Sequence, residues 1–237
     1  MLDIGKPSRR TVLATIAGAM LMIKSRPGWT QSELYFEIIE NILHRVDGSS
    51  SRGTGEPTPE EDSQADAFLA TAPAGRLHPF VVAQWFLNQP SHWTTQTPPG
   101  RRSRANPVII KFFTQATRLQ QTNGDETWWC AAFANWCLLR AQQARTDDAR
   151  SSSFRNWMTT TAAPQVGDIA VFQNNSTPTL GHVGFYAGPA SGGRIRILGG
   201  NQHDGGLPTV CERDFVTAGK SLTLHSFHRD PGWPSLA

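Results

Sequence analysis

Cysteine is scarce in this chain of 237 residues, and the three present, Cys130, Cys137 and Cys211, cannot all pair with one another. Cys130 and Cys137 lie seven positions apart on a segment with helical spacing. Two helical turns separate their backbones by about 10.5 Å, beyond the roughly 7 Å a disulfide can bridge. A disulfide scaffold is therefore excluded, and at least one thiol is either reactive or simply buried. Long apolar runs are lacking too. The uncharged stretch from Thr11 to Ile23 is shorter than the about 20 residues that span a bilayer, so no stable membrane insertion is expected. Charge of one sign is also missing: 22 Lys and Arg face 19 Asp and Glu, a formal net charge of +3. The pull toward an anionic partner is mild. The basic run Arg101, Arg102 and Arg104 has no interleaved aromatics and no nucleic-acid motif, so it reads as a solvated loop and no nucleic-acid partner is expected. With 17% charged residues, 21 Gly and 16 Pro, the chain is globular and loop-rich rather than a coiled coil.

What is present falls into two parts. Ser8-Arg9-Arg10-Thr11-Val12-Leu13 resembles a twin-arginine export signal, but Lys24, Ser25 and Arg26 stand where a small-residue cleavage site would follow. An export signal and an ordinary helix both stay open. Ser32 to Val46 carries Leu34, Ile38, Ile42 and Val46 at helical spacing behind a Ser cap. Asp47 to Asp66 reads as a linker of Ser, Gly, Pro and Glu. This divides the chain into an N-terminal segment, residues 1–66, and a domain, residues 67–237. In the domain, helices are expected over Pro79–Leu87, Pro107–Leu119 and Trp128–Gln143. Strands are expected over Asp168–Gln173, His182–Ala187, Arg194–Leu198 and Ser221–Phe227. Helices first and a meander of strands afterwards imply an α+β fold with an antiparallel sheet.

Three positions can carry chemistry. Cys130 opens its helix, with Asp125 or Thr127 as cap, and the unpaired N–H groups of a first turn favour thiolate and can hold an oxyanion. Cys137 lies in a stripe of small residues and reads as core. On the strand Gly181-His182-Val183-Gly184-Phe185-Tyr186, His182, Gly184 and Tyr186 share one face. Gly184 thins that face, which would let a helix terminus approach. The next strand runs into Gly199-Gly200-Asn201-Gln202, where an Asn beside His182 Nδ1 would orient the imidazole; a plain Gly-Gly-Asn turn is the other reading. Cys130, His182, His203 and Cys211 match no zinc spacing, so no metal or other cofactor is expected. His203, Asp204, His225 and His228 default to the surface.

The stretches WWCAAFANWCLLRA (128–141), SFRNW (153–157), PQVGDIAVF (164–172), GHVGFYAG (181–188) and ILGGNQ (197–202) resemble the CHAP and NlpC-type branch of papain-like cysteine hydrolases. The resemblance runs from about residue 106 to 202. It implies a papain-like fold with the nucleophile helix packed on an antiparallel sheet. It also implies a hydrolase cutting amide bonds of peptidoglycan stem peptides, with Cys130 as nucleophile, His182 as base and Asn201 as orienting residue, Gln202 being a neighbouring candidate. Many relatives carry an acid two positions before the Asn; here that position is Gly199. Asp168 is expected to be structural, and Trp128, Trp129 and Gln202 to flank the substrate. Such an enzyme is exported or delivered to the cell envelope as an autolysin, a phage-type lysin or an antibacterial toxin. A toxin would need an immunity or inhibitor protein. An acyl or peptidyl transferase on the same fold, or a wall-binding module with an inert triad, are the alternatives.

Overall fold

Most helices begin where the sequence supplies a cap. In the computed structural model, which describes residues 55–97, 104–120, 124–203 and 205–236, helix α1 (Pro59–Ala70) starts behind Thr58. The Thr58 hydroxyl accepts from the Glu61 N–H, while the Glu61 carboxylate accepts from the Thr58 N–H, a reciprocal capping box. Helix α2 (Pro79–Phe86) is capped by His78 Nδ1, which accepts from the Phe80 N–H. A single turn, α3 (Ser91–Thr94), follows. Helix α4 (Pro107–Ala116) is capped by Asn106, whose side-chain oxygen accepts from the Val108 N–H. Pro at the first position of α1, α2 and α4 loses no hydrogen bond, because that N–H has no partner within a helix. Helix α5 (Cys130–Arg140) differs. Its N-cap is Trp129, with no side-chain capping bond. Asp125, expected as a cap, instead accepts from the Thr97 N–H and hydroxyl and from the Asn106 N–H.

Residues 59–66, expected within a linker, thus form the first part of α1: a Thr-Pro-Glu-Glu opening is a stronger helix start than the polar composition suggests. Residues 51–237 cluster as one compact unit. The helix expected over Ser32–Val46, the export-type segment, and Arg101 and Arg102 lie outside the described residues. Among the described residues no helix is long and apolar enough to cross a membrane.

The strands are β1 (Thr159–Thr161), β2 (Ile169–Asn174), β3 (Gly181–Pro189), β4 (Ile195–His203), β5 (Pro208–Phe215) and β6 (Leu222–Arg229). They pair antiparallel in the order β1-β6-β2-β3-β4-β5. The fold is α+β, consistent with a papain-like domain. Sequence patterning anticipated β2, β3, β4 and β6 but not β1 or β5. Strand β5 carries Glu212, Arg213 and Asp214, which an edge strand tolerates and which interrupt the apolar alternation.

The helices cover one face of the sheet. Trp129, Phe133, Trp136 and Leu138 of the α5 region pack with Phe86, Phe112 and the strand residues Ile169, Val171, Val183, Phe185 and Leu198. A smaller apolar cluster of Ala170, Phe172, Tyr186 and Ile197 occupies the other face, flanked by Phe215 and Leu224. Gly184 was expected to admit the helix. It faces the second cluster instead: a Cβ there would fall 2.6 Å from Ile197 Cγ2 and 2.9 Å from the Leu198 carbonyl oxygen. The helix rests on the Val183 and Phe185 side, and the glycine it requires is Gly200. A Cβ on Gly200 would come within 2.7 Å of Phe133 Cβ and closer still to the Trp129 ring. Asp168, as expected, ties the start of β2: it accepts from the Gln165 N–H at 2.7 Å. Its two oxygens also hold the Arg229 guanidinium at 2.7 and 2.6 Å.

Candidate active site

Cys130 is the first residue of α5, so its sulfur sits where three consecutive backbone N–H groups lack helical acceptors. The first helical bond runs from the Phe133 N–H to the Trp129 carbonyl. With no side chain capping this end, its dipole is left to whatever enters beside the sulfur. Cys130 is nevertheless 5% exposed. Burial pushes its thiol up to about 11, although the N–H groups of Val183, Ala131 and Cys130 itself pull the other way. At neutral pH the side chain is a thiol, not the thiolate that helix position alone suggested. Desolvation outweighs the dipole here.

Cys130 lines a cleft of about 210 Å³ together with Leu119, Trp128, Arg150, Ser151, Leu180 and Gly181, among others. Trp128 is 49% exposed and forms part of that wall. Trp129, expected beside it as a substrate contact, is fully buried between helix and sheet. Their different fates follow from position. Trp129 is the N-cap whose ring fills the space above Gly200, while Trp128 precedes the helix and points away from the core.

His182 stands at the start of β3, next to Gly181 of the cleft and to Val183, whose N–H faces the Cys130 sulfur. The Cys130 sulfur is thus placed at the backbone of the residue that follows His182, at one end of β3. The imidazole is on the face of Phe172, its cross-strand partner. It stacks on Phe215 with ring centroids 5.4 Å apart and planes 13° from parallel. Burial holds His182 down to about 4; Gln202 works against that shift as a hydrogen-bond partner, and the Arg213 charge adds to it. Arg213 itself lies 5.7 Å from the Phe215 ring. The His182 Nε2 is enclosed and without a partner. The nitrogen turned inward is thus Nε2, not the Nδ1 that the sequence reading placed beside its polar partner.

Asn201 and Gln202 are adjacent in sequence but differently placed. Asn201 has a left-handed backbone (φ 57°) and is half-buried. Gln202 is 2% exposed. The Gln202 Nε2 donates to the carbonyls of Ile197, Gly199 and Cys211 at 3.2, 3.1 and 2.5 Å. Its Oε1 is enclosed and unpartnered.

The remaining residues that drew notice sort themselves out. Cys137 is fully buried core. Cys211 is half-buried on β5. His225 is exposed, but His228, expected at the surface, is fully buried. Its Nε2 lies 2.7 Å from the Ser226 hydroxyl. Phe215 and Arg213, which contact or bias His182, were missed because β5 itself was missed.

Residues 121–201 match the model of the CHAP domain family. No curated protein and no solved structure matches the chain. The match suggests peptidoglycan hydrolase or amidase activity in general, of a kind that typically depends on a cysteine and a histidine.

Proposed function

We propose that this chain, which carries a CHAP domain, hydrolyses an amide bond in the stem peptides of peptidoglycan, with Cys130 as nucleophile and His182 as general base. The observation that carries this reading is the meeting at one end of β3. Cys130, on a helix N-terminus without a side-chain cap, lines a cleft, and its sulfur faces the Val183 N–H, one strand residue from a histidine whose Nε2 is enclosed. The rest of the cleft is mostly apolar or hydroxyl-bearing, and its one basic lining residue, Arg150, is paired with Asp148.

The two pKa values decide how the reaction starts. A thiol at about 11 and an imidazole at about 4 rest as a neutral pair. In the proposed mechanism His182 Nδ1 takes the Cys130 proton as the sulfur attacks the carbonyl carbon, rather than before. The carbonyl π pair moves onto oxygen, and the Cys130 N–H at the helix start donates to that oxyanion. The imidazolium then protonates the leaving nitrogen as the C–N bond breaks, leaving a thioester. Water, deprotonated by the neutral imidazole, attacks the thioester and expels the thiol. No cofactor enters this scheme. The substrate puts the proposed site of action in the cell envelope.

The test is turbidity loss of purified sacculi, followed by mass analysis of the soluble fragments. Wild-type protein should release fragments with a new amine and a new carboxylate at one amide, and Cys130→Ala and His182→Ala should each lower the rate at least about 10³-fold. Lysis surviving in Cys130→Ala would remove the nucleophile assignment. Fragments carrying a new amide in place of the carboxylate would turn the reading to a transferase.

A further inference from the structure

Strand β4 holds a one-residue irregularity that decides which side chain meets His182. Gly199 is opposite Cys211 on β5, while Gln202 is opposite Thr209. Three steps along β4 thus match two along β5, so one extra residue is inserted there. Side chains alternate along a strand, and residues three apart face opposite ways; one inserted residue restores them to the same face. Asn201, at φ 57°, is the left-handed residue within the insertion, a conformation Asn tolerates better than other side chains.

The consequence is visible around Gly199. A Cβ on that residue would lie 3.2 Å from Gln202 Nε2, 3.3 Å from Gln202 Cδ and 3.4 Å from His182 Nε2. The absent side chain of residue 199 leaves the volume that the Gln202 carboxamide fills, beside the inward nitrogen of His182. The amide orientation is settled by its other partners. Three carbonyl oxygens accept from Gln202 Nε2, so the remaining atom, Oε1, is an acceptor. That acceptor and His182 Nε2 are both enclosed, and neither has another partner. A buried acceptor and a buried ring nitrogen that can donate complete one another.

We infer that Gln202, and not Asn201, is the positioning residue of His182: its Oε1 accepts from Nε2–H, which fixes the tautomer and leaves the Nδ1 lone pair to act as base. Asn201 serves through its backbone, by turning Gln202 onto the histidine's face, and Gly199 serves by making room. The inference rests on the reading of His182 as the base, and it divides the Gly-Gly-Asn-Gln run into separate duties. A carboxamide holds the ring without adding charge, so its hydrogen bond offsets only part of the burial that keeps the imidazole neutral.

The experiment uses the full chain and two readouts. In Cys130→Ala protein, nitrogen NMR of His182 should show a single Nε2–H tautomer. Adding Gln202→Ala should give a mixture of tautomers or the Nδ1–H form, while Asn201→Gly, which keeps the left-handed backbone, should leave the spectrum unchanged. In wall hydrolysis Gln202→Ala should lower kcat about 10- to 100-fold with KM within about twofold, and Asn201→Gly should stay within about threefold of wild type. Gln202→Glu should restore the tautomer and move the acidic limb of the kcat profile upward by about one pH unit or more. The inference is overturned if Gln202→Ala leaves the tautomer alone, or if a folded Asn201→Gly loses as much kcat as Gln202→Ala. Absence of wall hydrolysis in wild type, with the tautomer still set by Gln202, would sink the proposed function and leave the positioning role standing.

Discussion

Adding one methyl group at Gly200 should loosen the helix that carries Cys130. The backbone there does not have a positive φ, so Ala is conformationally acceptable and would by itself stabilise the chain by about 0.4–1 kcal/mol through the unfolded state. The obstacle is steric. The new Cβ would stand 2.7 Å from Phe133 Cβ and from Trp129 Cε3, and closer still to Trp129 Cζ3. Carbon atoms settle at about 3.5–4.0 Å, so the overlap approaches 1 Å. Neither neighbour can swing aside. Trp129 and Phe133 are fully buried, and both lie against Phe112, with centroids 6.1 and 5.5 Å from its ring.

Overpacking of this kind costs about 1–3 kcal/mol, and two rigid aromatic neighbours put Gly200→Ala at the upper end, about 3 kcal/mol. With a urea slope of roughly 2 kcal/mol per molar, the unfolding midpoint followed by tryptophan fluorescence should fall by about 1.5 M. Gly199→Ala is the internal control. Its Cβ meets only the ends of the Gln202 and His182 side chains, at 3.2–3.4 Å, so the midpoint should move by less than about 0.3 M while His182 loses its orientation. A Gly200→Ala midpoint equal to or above wild type would refute the close helix–strand approach, and with it the account of where Cys130 sits.

Acid should destabilise the domain. Burial holds His182 and His78 down to about 4 and lowers His228 as well. The unfolded chain takes up protons near pH 6.5 that the folded one refuses, so stability present above pH 6.5 is lost as pH falls toward 4. For His182 that interval corresponds to about 3 kcal/mol, with less from the partly solvated His78; a flat urea midpoint between pH 7 and 4.5 would count against it. Cys130 should react with iodoacetamide slowly at pH 7 and faster up to about pH 11, as burial dictates. A rate plateau reached below pH 8 would instead reveal a preformed thiolate. Asp168→Ala strands Arg229 and the Gln165 N–H and should cost about 3 kcal/mol in urea unfolding.

The helices were legible because their signals are local. Thr58, His78 and Asn106 precede Pro at a helix start, and the apolar spacing behind them has period 3.6. Cys130 at a helix start and His182 at a strand start were legible for the same reason. What was hidden depends on pairing between strands. The charges of β5 are admissible only because it is an edge, and nothing local announces that. The face on which Gln202 emerges depends on an insertion read against β5, so counting residues along β4 alone assigns it the wrong parity. The balance between dipole and burial at Cys130 is hidden as well. Sequence places the thiol at the positive end of a helix, but only the packed structure says how little water reaches it.

That balance bears on how such a site stays quiet until substrate arrives. With the thiol near 11 and the imidazole near 4, moving the proton from sulfur to nitrogen in the empty site is uphill by about 7 pH units, roughly 10 kcal/mol before the new charges attract. An empty cleft therefore holds almost no thiolate, and its sulfur is poorly nucleophilic toward oxidants and stray electrophiles. A carbonyl seated against the helix terminus changes the sum. The negative charge then passes from sulfur to a carbonyl oxygen that the uncapped N–H groups of α5 can reach, so proton transfer and bond formation relieve one another. On this argument thiol alkylation and wall hydrolysis should respond differently to pH. Alkylation should climb with thiolate above pH 9, while kcat/KM should already be level at neutral pH, limited on its acid side by His182. Parallel profiles for the two reactions would mean that attack begins from free thiolate and that the helix end does not share the charge.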